Sequence, residues 1–444
     1  MLIKTYFGEK YCYYPCSNLI EKTSHLKRFN EERGFIRVDL PYNQGFLREV
    51  CTNRISYLIL GCTEYCNMRC RYCTYSGLFP NIRSHSKRKM LRETGDAAIR
   101  WLKNHSSNSE QIIIGFWGGE PLTEWENIKH WISLAKSIFT DKKISFNIST
   151  NGSIFPEDLL TWMKKDISIH VNITMNGIKE IHDRNRLFAS GEPTFDIVYN
   201  NVMRLRKYLQ NTFAEQVLLL VNYTDFPEKT KLQKWLDSDS ALDKVVRLLP
   251  VALPPDKEIA KTISRYSELD NQFLLWKARY NFVQQLDDRM ALPKMLENQV
   301  DMLNFIHNRC CENRNVVIHP GVCTPFASRV FIDVNGNIFQ CERTEDTISF
   351  GNVMDGIDHE LVNHIFISEM QKLIQQKLKC HLCPWVRLCR NCFSVFLCKD
   401  GITKEQIIQR ECAKMRSDIK RDLEFYTSVM EKKPGYWEWL YGSK

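Results

Sequence analysis

The sequence predicts an α/β protein: a partial (β/α)6, TIM-like barrel, with a short element before it and a cysteine-rich domain after it. Three observations predict this. Six short β-branched and aliphatic runs alternate with helix-length segments between residues 55 and 251. Polar motifs follow the first of those runs directly. The 17 cysteines are unevenly spread, with three before residue 52, four at 62–73 and ten from 310 to 412.

Residues 1–54 read as a small separate element. Tyr6, Phe7, Tyr13, Tyr14, Leu19 and Ile20 alternate loosely ahead of a charged stretch, as in a strand–turn–helix cap or a peptide-docking region. Residues 55–255 carry the barrel pattern. Ile55–Leu60, Ile112–Phe116, Ile144–Thr150, Ile167–Thr174, Val217–Val221 and Val245–Val251 each have the composition of a buried strand. Between them, Arg92–His105, Trp125–Phe139, Pro156–Lys164 and Phe195–Tyr208 have helix length. Strands alternating with helices imply parallel βα units, and six units give a partial barrel rather than the full eight. In such barrels chemistry sits at the C-terminal strand ends. Residues 256–310 form a polar, helix-prone bridge. Ser264–His307 is expected to hold one or two long helices, with Pro254, Pro255 and Pro293 as punctuation. Residues 311–420 are the cysteine-rich domain. It starts with a hairpin, Arg329–Val334 and Asn337–Glu342 around Asn335-Gly336, a pair that supplies the positive φ of a tight turn. Residues 421–444 are a tail.

The chain has 444 residues, 43% hydrophobic and 25% charged, an ordinary globular balance. No apolar run approaches the roughly 20 residues that span a bilayer. The N-terminus has no apolar secretory core, so a cytoplasmic location and no membrane partner are expected. Cytosolic cysteines are reduced, and so many of them point to metal or redox chemistry. The net charge of +9 fits a basic surface or an anionic partner such as an acidic peptide. Nucleic acid is not expected, because the basic residues form no long tract and no binding signature is present.

Cys66, Cys70 and Cys73 follow the first expected strand. Their spacing puts three thiolates around one loop, and three thiolates on a four-iron cluster leave one iron open. A zinc ribbon would use paired two-residue spacings, which this segment lacks. Cys62 reads as a buried extra thiol. The triad, with Tyr72 before its last cysteine, resembles the radical S-adenosylmethionine (radical SAM) superfamily. The resemblance implies that S-adenosylmethionine binds the open iron of a [4Fe–4S] cluster, with flavodoxin or ferredoxin as reductant. It also implies cofactor contacts. Gly118, Gly119 and Glu120 resemble the family's cofactor-amino motif after the second strand. Ser149 and Asn151 end the third strand. Thr174 and Arg186, in runs resembling Ser-x-Asp-Gly and His-Asp-x-x-Arg, suit the cofactor carboxylate. Asn176 stands where the pattern has Asp, and Asn222 ends the fifth strand. A simple strand-ending turn is the rival reading at Gly118–Glu120 and at 149–152.

The later cysteines resemble a SPASM domain, which carries auxiliary clusters in peptide-modifying members. By that resemblance Cys380, Cys383, Cys389 and Cys412 hold one auxiliary [4Fe–4S] cluster, and Cys323, Cys341 and Cys392 hold another. Its fourth ligand is Cys310 or Cys311, or the iron stays open for substrate, with Cys398 as a competing ligand. Structural zinc is the rival reading. The resemblance therefore implies a maturase of a ribosomal precursor peptide that abstracts hydrogen and forms a cross-link, a thioether for preference. An anaerobic sulfatase-type maturase making formylglycine is the second enzymatic reading, and a non-enzymatic zinc or iron–sulfur protein the third. No catalytic acid or base stands out.

Overall fold

The computed structural model describes residues 1–444 apart from 16, 26–36, 41–42, 80–81, 239–241, 243, 252, 254–256, 265, 288, 294–295, 297–299, 310–315, 319–322, 328, 346, 393–394, 399–400, 403–404 and 443–444. Its N-terminal element is an antiparallel sheet of β1 (Leu2–Lys4), β2 (Lys10–Tyr14) and β3 (Leu19–Lys22). Then come β4 (Arg37–Asp39), which pairs in parallel with β11 (Val316–Ile318), and helix α1 (Gln44–Asn53). The expected barrel strands form at β5 (Tyr57–Thr63), β6 (Gln111–Gly118), β7 (Lys143–Thr150), β8 (Ile169–Thr174), β9 (Val217–Tyr223) and β10 (Val246–Pro250). They lie in chain order in one sheet, and each neighbouring pair among them is parallel. The four expected helices form at α2 (Arg92–Asn104), α3 (Trp125–Ile138), α4 (Glu157–Lys165) and α6 (Phe195–Leu209), with α5 (Lys179–Asn185) before the last. Their apolar stripes face the sheet. Trp131 and Ile132 of α3 and Ile99 and Leu102 of α2 are fully buried with Ile114 and Phe146 of the strands.

The sheet does not stop at six strands. The hairpin of β12 (Arg329–Ile332) and β13 (Ile338–Phe339) extends it to the order β10-β9-β8-β7-β6-β5-β12-β13. β12 runs parallel to β5, with Arg329 opposite Tyr57 and Ile332 opposite Leu60. The turn is longer than a two-residue hairpin. Asp333 Oδ1 accepts from the amides of Asn335 and Asn337, and Gly336 takes φ +85°.

A second core gathers the ends of the chain. Ile3, Tyr11 and Tyr13 of the N-terminal sheet are buried with Phe282, Leu303, Leu423 and Trp437. These come from the bridging helices Glu268–Gln285 and Val300–His307 and the C-terminal helices Glu405–Lys432 and Tyr436–Tyr441. Tyr13 stacks on Trp385 at 5.5 Å, and Arg309 Nε donates to Asn18 O at 2.7 Å. Among the described residues no helix is long and apolar enough to cross a membrane.

Candidate functional site

The triad loop begins where β5 ends and is pinned to the next strand. Gly119 N donates to Thr63 O and Glu120 N to Tyr65 O, both at 2.8 Å. The two glycines make this contact possible. A Cβ on Gly118, which sits at φ +141°, would lie 2.1 Å from Thr63 O, and one on Gly119 would lie 2.1 Å from Tyr65 O. What approaches these glycines is the loop's own backbone.

Glu120 is fully buried. Its Oε1 accepts from Leu122 N at 3.0 Å and Thr150 Oγ1 at 2.7 Å, and its Oε2 accepts from Asn151 N at 2.7 Å. Burial pushes its pKa up to about 7 against those donors. The carboxylate thus ties the end of β6 to the end of β7. Each of these donors belongs to the chain itself, alongside the contact with a ligand ammonium that the sequence leads one to expect. Asn151 carries the tie on to the triad. Its Nδ2 donates to Asn67 Oδ1 at 2.8 Å and lies 3.6 Å from Cys66 Sγ.

Behind the loop, Arg186 is buried with Nη2 3.0 Å from Asn151 O and Nη1 3.4 Å from the Tyr72 hydroxyl. Burial works against its charge, yet Cys70 and Tyr72 beside it raise its pKa. Asn176 uses both ends of its amide: Nδ2 donates to Tyr72 Oη at 2.9 Å, and Oδ1 accepts from Asn222 N at 3.1 Å. An aspartate there would have no donor for the tyrosine. His182, with Nε2 3.0 Å from Thr194 Oγ1, accepts from Asn176 N at 3.3 Å; burial and Arg186 lower its pKa to about 2, so it is a neutral brace. Thr174 is half-buried at the end of β8.

Inside the barrel lies a cavity of about 140 Å³. Ser149, Asn172, Tyr57 and Trp117 line it from the strands, and Arg329 and Glu342 from the hairpin region. Arg329 Nη1 is 3.3 Å from Glu342 Oε1, whereas Glu342 Oε2 is buried with no partner among the described residues. Nothing in the sequence singles out either residue. They reach the cavity only because β12 joins β5, and no local pattern announces that pairing.

The three triad thiols share one space, since Cys66 and Cys70 both act on Cys73, and Cys70 on Cys66. Burial pushes Cys66 up to about 11 and Cys73 up to about 12, so their thiolates need a cation beside them. Among the described residues no three His, Cys, Asp or Glu groups are drawn in around a single metal ion. Arg186 Nε and both amide atoms of Asn185 are buried next to this loop without partners among the described residues. Three neighbouring thiols, with polar atoms left over, fit an iron–sulfur cluster that keeps one position for a polar ligand. Cys62 is fully buried away from this group, its sulfur on Leu60 O at 3.5 Å.

The later cysteines form two groups. Cys380 is acted on by Cys389, Cys412 and Cys383, and burial pushes its pKa up to about 12. Cys323 and Cys341 are each acted on by Cys392, and burial raises both. Cys398 stands in a short hairpin opposite Gly401. Cys310 and Cys311 lie outside the described residues.

The model of the radical SAM superfamily matches residues 60–231. The chain is 26% identical over 346 residues to the cysteine-type anaerobic sulfatase-maturating enzyme of Clostridium novyi, covering 76% of this chain and 87% of that protein. It is 25% identical over 276 residues to the radical SAM cyclopropyl synthase TigE of Paramaledivibacter caminithermalis, covering 53% and 54% of the two chains. Among solved structures, native anSMEcpe with bound AdoMet superposes with a TM-score of 0.57 at 20% identity, over 84% of this chain and all of that one. That likeness is one of fold.

Proposed function

We propose, for a chain that carries a radical SAM domain, that it oxidises a peptide, with S-adenosylmethionine bound at a [4Fe–4S] cluster on Cys66, Cys70 and Cys73. The family uses this cofactor pair. Such a site supplies, when loaded, one-electron cleavage of the cofactor to methionine and a 5′-deoxyadenosyl radical that takes a hydrogen atom from a substrate carbon. The observation that carries the reading is the sorting of the cysteines into one triad at the barrel mouth and two later groups. The later groups are the proposed auxiliary-cluster sets, Cys380, Cys383, Cys389 and Cys412 in one, Cys323, Cys341 and Cys392 in the other.

The chain's own residues have separable roles. Glu120, Asn151 and the two glycines hold the triad loop on the strand ends. Arg186 supplies a buried positive charge beside the thiolates. Oxidation of the substrate by two electrons removes a hydrogen atom, taken up by the cofactor-derived radical, an electron, for which the auxiliary-cluster sets would supply the acceptor, and a proton. Glu342 takes the proton in this reading, because it lines the cavity and its Oε2 has no hydrogen-bond partner among the described residues.

Two substrate readings follow. A thioether cross-link is favoured by the three-cysteine set at Cys323, Cys341 and Cys392, which leaves a place for a substrate thiol. Formylglycine formation is favoured by the similarity over 87% of the Clostridium novyi enzyme. Candidate peptides from neighbouring reading frames, co-expressed and analysed by mass spectrometry, separate them. A thioether loses two hydrogens and a free thiol, whereas formylglycine gains an aldehyde that hydrazides capture.

The radical reading itself is tested by anaerobic reconstitution. Incubation with S-adenosylmethionine and dithionite is expected to yield 5′-deoxyadenosine. Changing Cys66, Cys70 and Cys73 together to Ala is expected to abolish it, and undiminished cleavage by that variant would sink the assignment.

A further inference from the structure

Cys73 has a polar neighbour that belongs to none of the motifs. His85 Nε2 lies 3.6 Å from Cys73 Sγ. This histidine is not a loose surface side chain. Its amide donates to Tyr75 O at 2.9 Å, and its ring meets the Tyr75 ring edge-on at 6.3 Å. Two residues before it, Arg83 is buried in an ion pair with Glu345 at 2.5 Å, with its guanidinium 3.7 Å from the Tyr75 ring centre. Tyr75 Oη in turn donates to Glu345 Oε2 at 3.0 Å and accepts from Trp117 Nε1 at 2.8 Å. One residue after it, Ser86 N donates to Glu64 O at 3.3 Å and Ser86 Oγ to Glu64 Oε2 at 2.6 Å. Anchors on both sides therefore hold the imidazole against the last thiol of the triad.

The triad thiols are served unequally. Cys66 Sγ has Met68 N at 3.4 Å and the Asn151 amide at 3.6 Å, both from the loop and barrel. Cys73 has the Tyr75 backbone amide and His85. A thiolate bound to iron only accepts hydrogen bonds, so an imidazole beside it is oriented to present N–H. Donors to cluster sulfurs draw electron density from the cluster and raise its reduction potential.

We propose that His85 donates its Nε2–H to the Cys73 thiolate and so raises the reduction potential of the triad's cluster. This rests on the reading of Cys66, Cys70 and Cys73 as cluster ligands. His85 is a positioning residue, because it acts through Cys73.

The test is a redox titration of the full chain, reconstituted anaerobically and followed by electron paramagnetic resonance. The component of the reduced signal that changes when S-adenosylmethionine is added reports the cluster with an open iron. His85→Leu is expected to lower its midpoint, with the equilibrium constant for reduction falling about tenfold, ~59 mV for a one-electron couple. His85→Gln, which keeps an N–H at similar reach, is expected to restore most of the difference. An unchanged midpoint in His85→Leu at full iron content overturns the proposal. Should His85→Leu lose iron, His85→Asn, polar but too short to reach the sulfur, replaces it in the comparison with His85→Gln. A wild-type protein that shows no signal responsive to the cofactor overturns the cluster reading instead.

Discussion

Glu345 and Glu342 stand three residues apart in the chain and differ in what surrounds them. Glu345 is buried against Arg83 and Tyr75, and burial pushes its pKa from 4.5 up to about 7 in spite of the arginine. An acid whose folded pKa is raised keeps its proton where the unfolded chain has lost it. Stability therefore falls as pH rises between about 4.5 and 7, and is level above that window. Glu120 contributes in the same direction. Glu345→Gln is expected to flatten part of this decline, read as melting temperature at pH 5, 6 and 7. Glu342 borders the cavity and leaves one oxygen without a partner among the described residues. Glu342→Gln is expected to leave 5′-deoxyadenosine formation within about twofold of wild type and to lower modified peptide by about 10²-fold, the lower end of general acid–base contributions. Equal loss of both products would assign Glu342 to the fold instead. The sequence could not rank these carboxylates. A raised pKa comes from burial, and the groups that partner Glu345 in its buried place, Arg83 and Tyr75, lie 262 and 270 positions away.

The elements were far easier to read than the individual contacts. β-Branched runs of five to eight residues between amphipathic segments have one stable solution, a parallel sheet covered by helices. The observed strands and helices follow those runs closely, shifting by a few residues at their ends. What composition leaves open is how the loop after β5 is held. Gly118 and Gly119 matter there because the triad loop passes directly over them. Gly119→Ala puts a methyl 2.1 Å from Tyr65 O, inside any allowed contact. The loop must move, at a cost of roughly 1–3 kcal/mol for overpacking. Iron bound per chain is expected to fall with the melting temperature. Normal iron content and an unchanged melt would show that the loop gives way freely.

At the scale of the molecule, the barrel and the cysteine-rich region are not independent. β12 pairs with β5 through four residues and covers what would otherwise be the open edge of the first barrel strand. An uncovered edge is a template for association with other chains. A chain ending at residue 309 lacks β12 and its hairpin. It is expected to aggregate, or to lose hydrogen-exchange protection over Tyr57–Thr63 if it stays in solution. A monomeric, fully protected truncation would show that the barrel closes without its extension. The second core makes the same point, because the N-terminal sheet is buried with helices more than 250 residues later in the chain.

The sequence by itself determined the six βα units, the order of the cysteine groups and the strand-end position of the polar motifs. Each follows from local composition and spacing, which act over a few residues. Tertiary structure alone decided the rest: the pairing of β12 with β5, the placing of Glu342 and Arg329 at the cavity, the use of Glu120 as a brace between strands and the contact of His85 with Cys73. Burial and electrostatics at these points depend on which distant segments meet, and a sheet edge accepts a partner strand by geometry that no local pattern encodes.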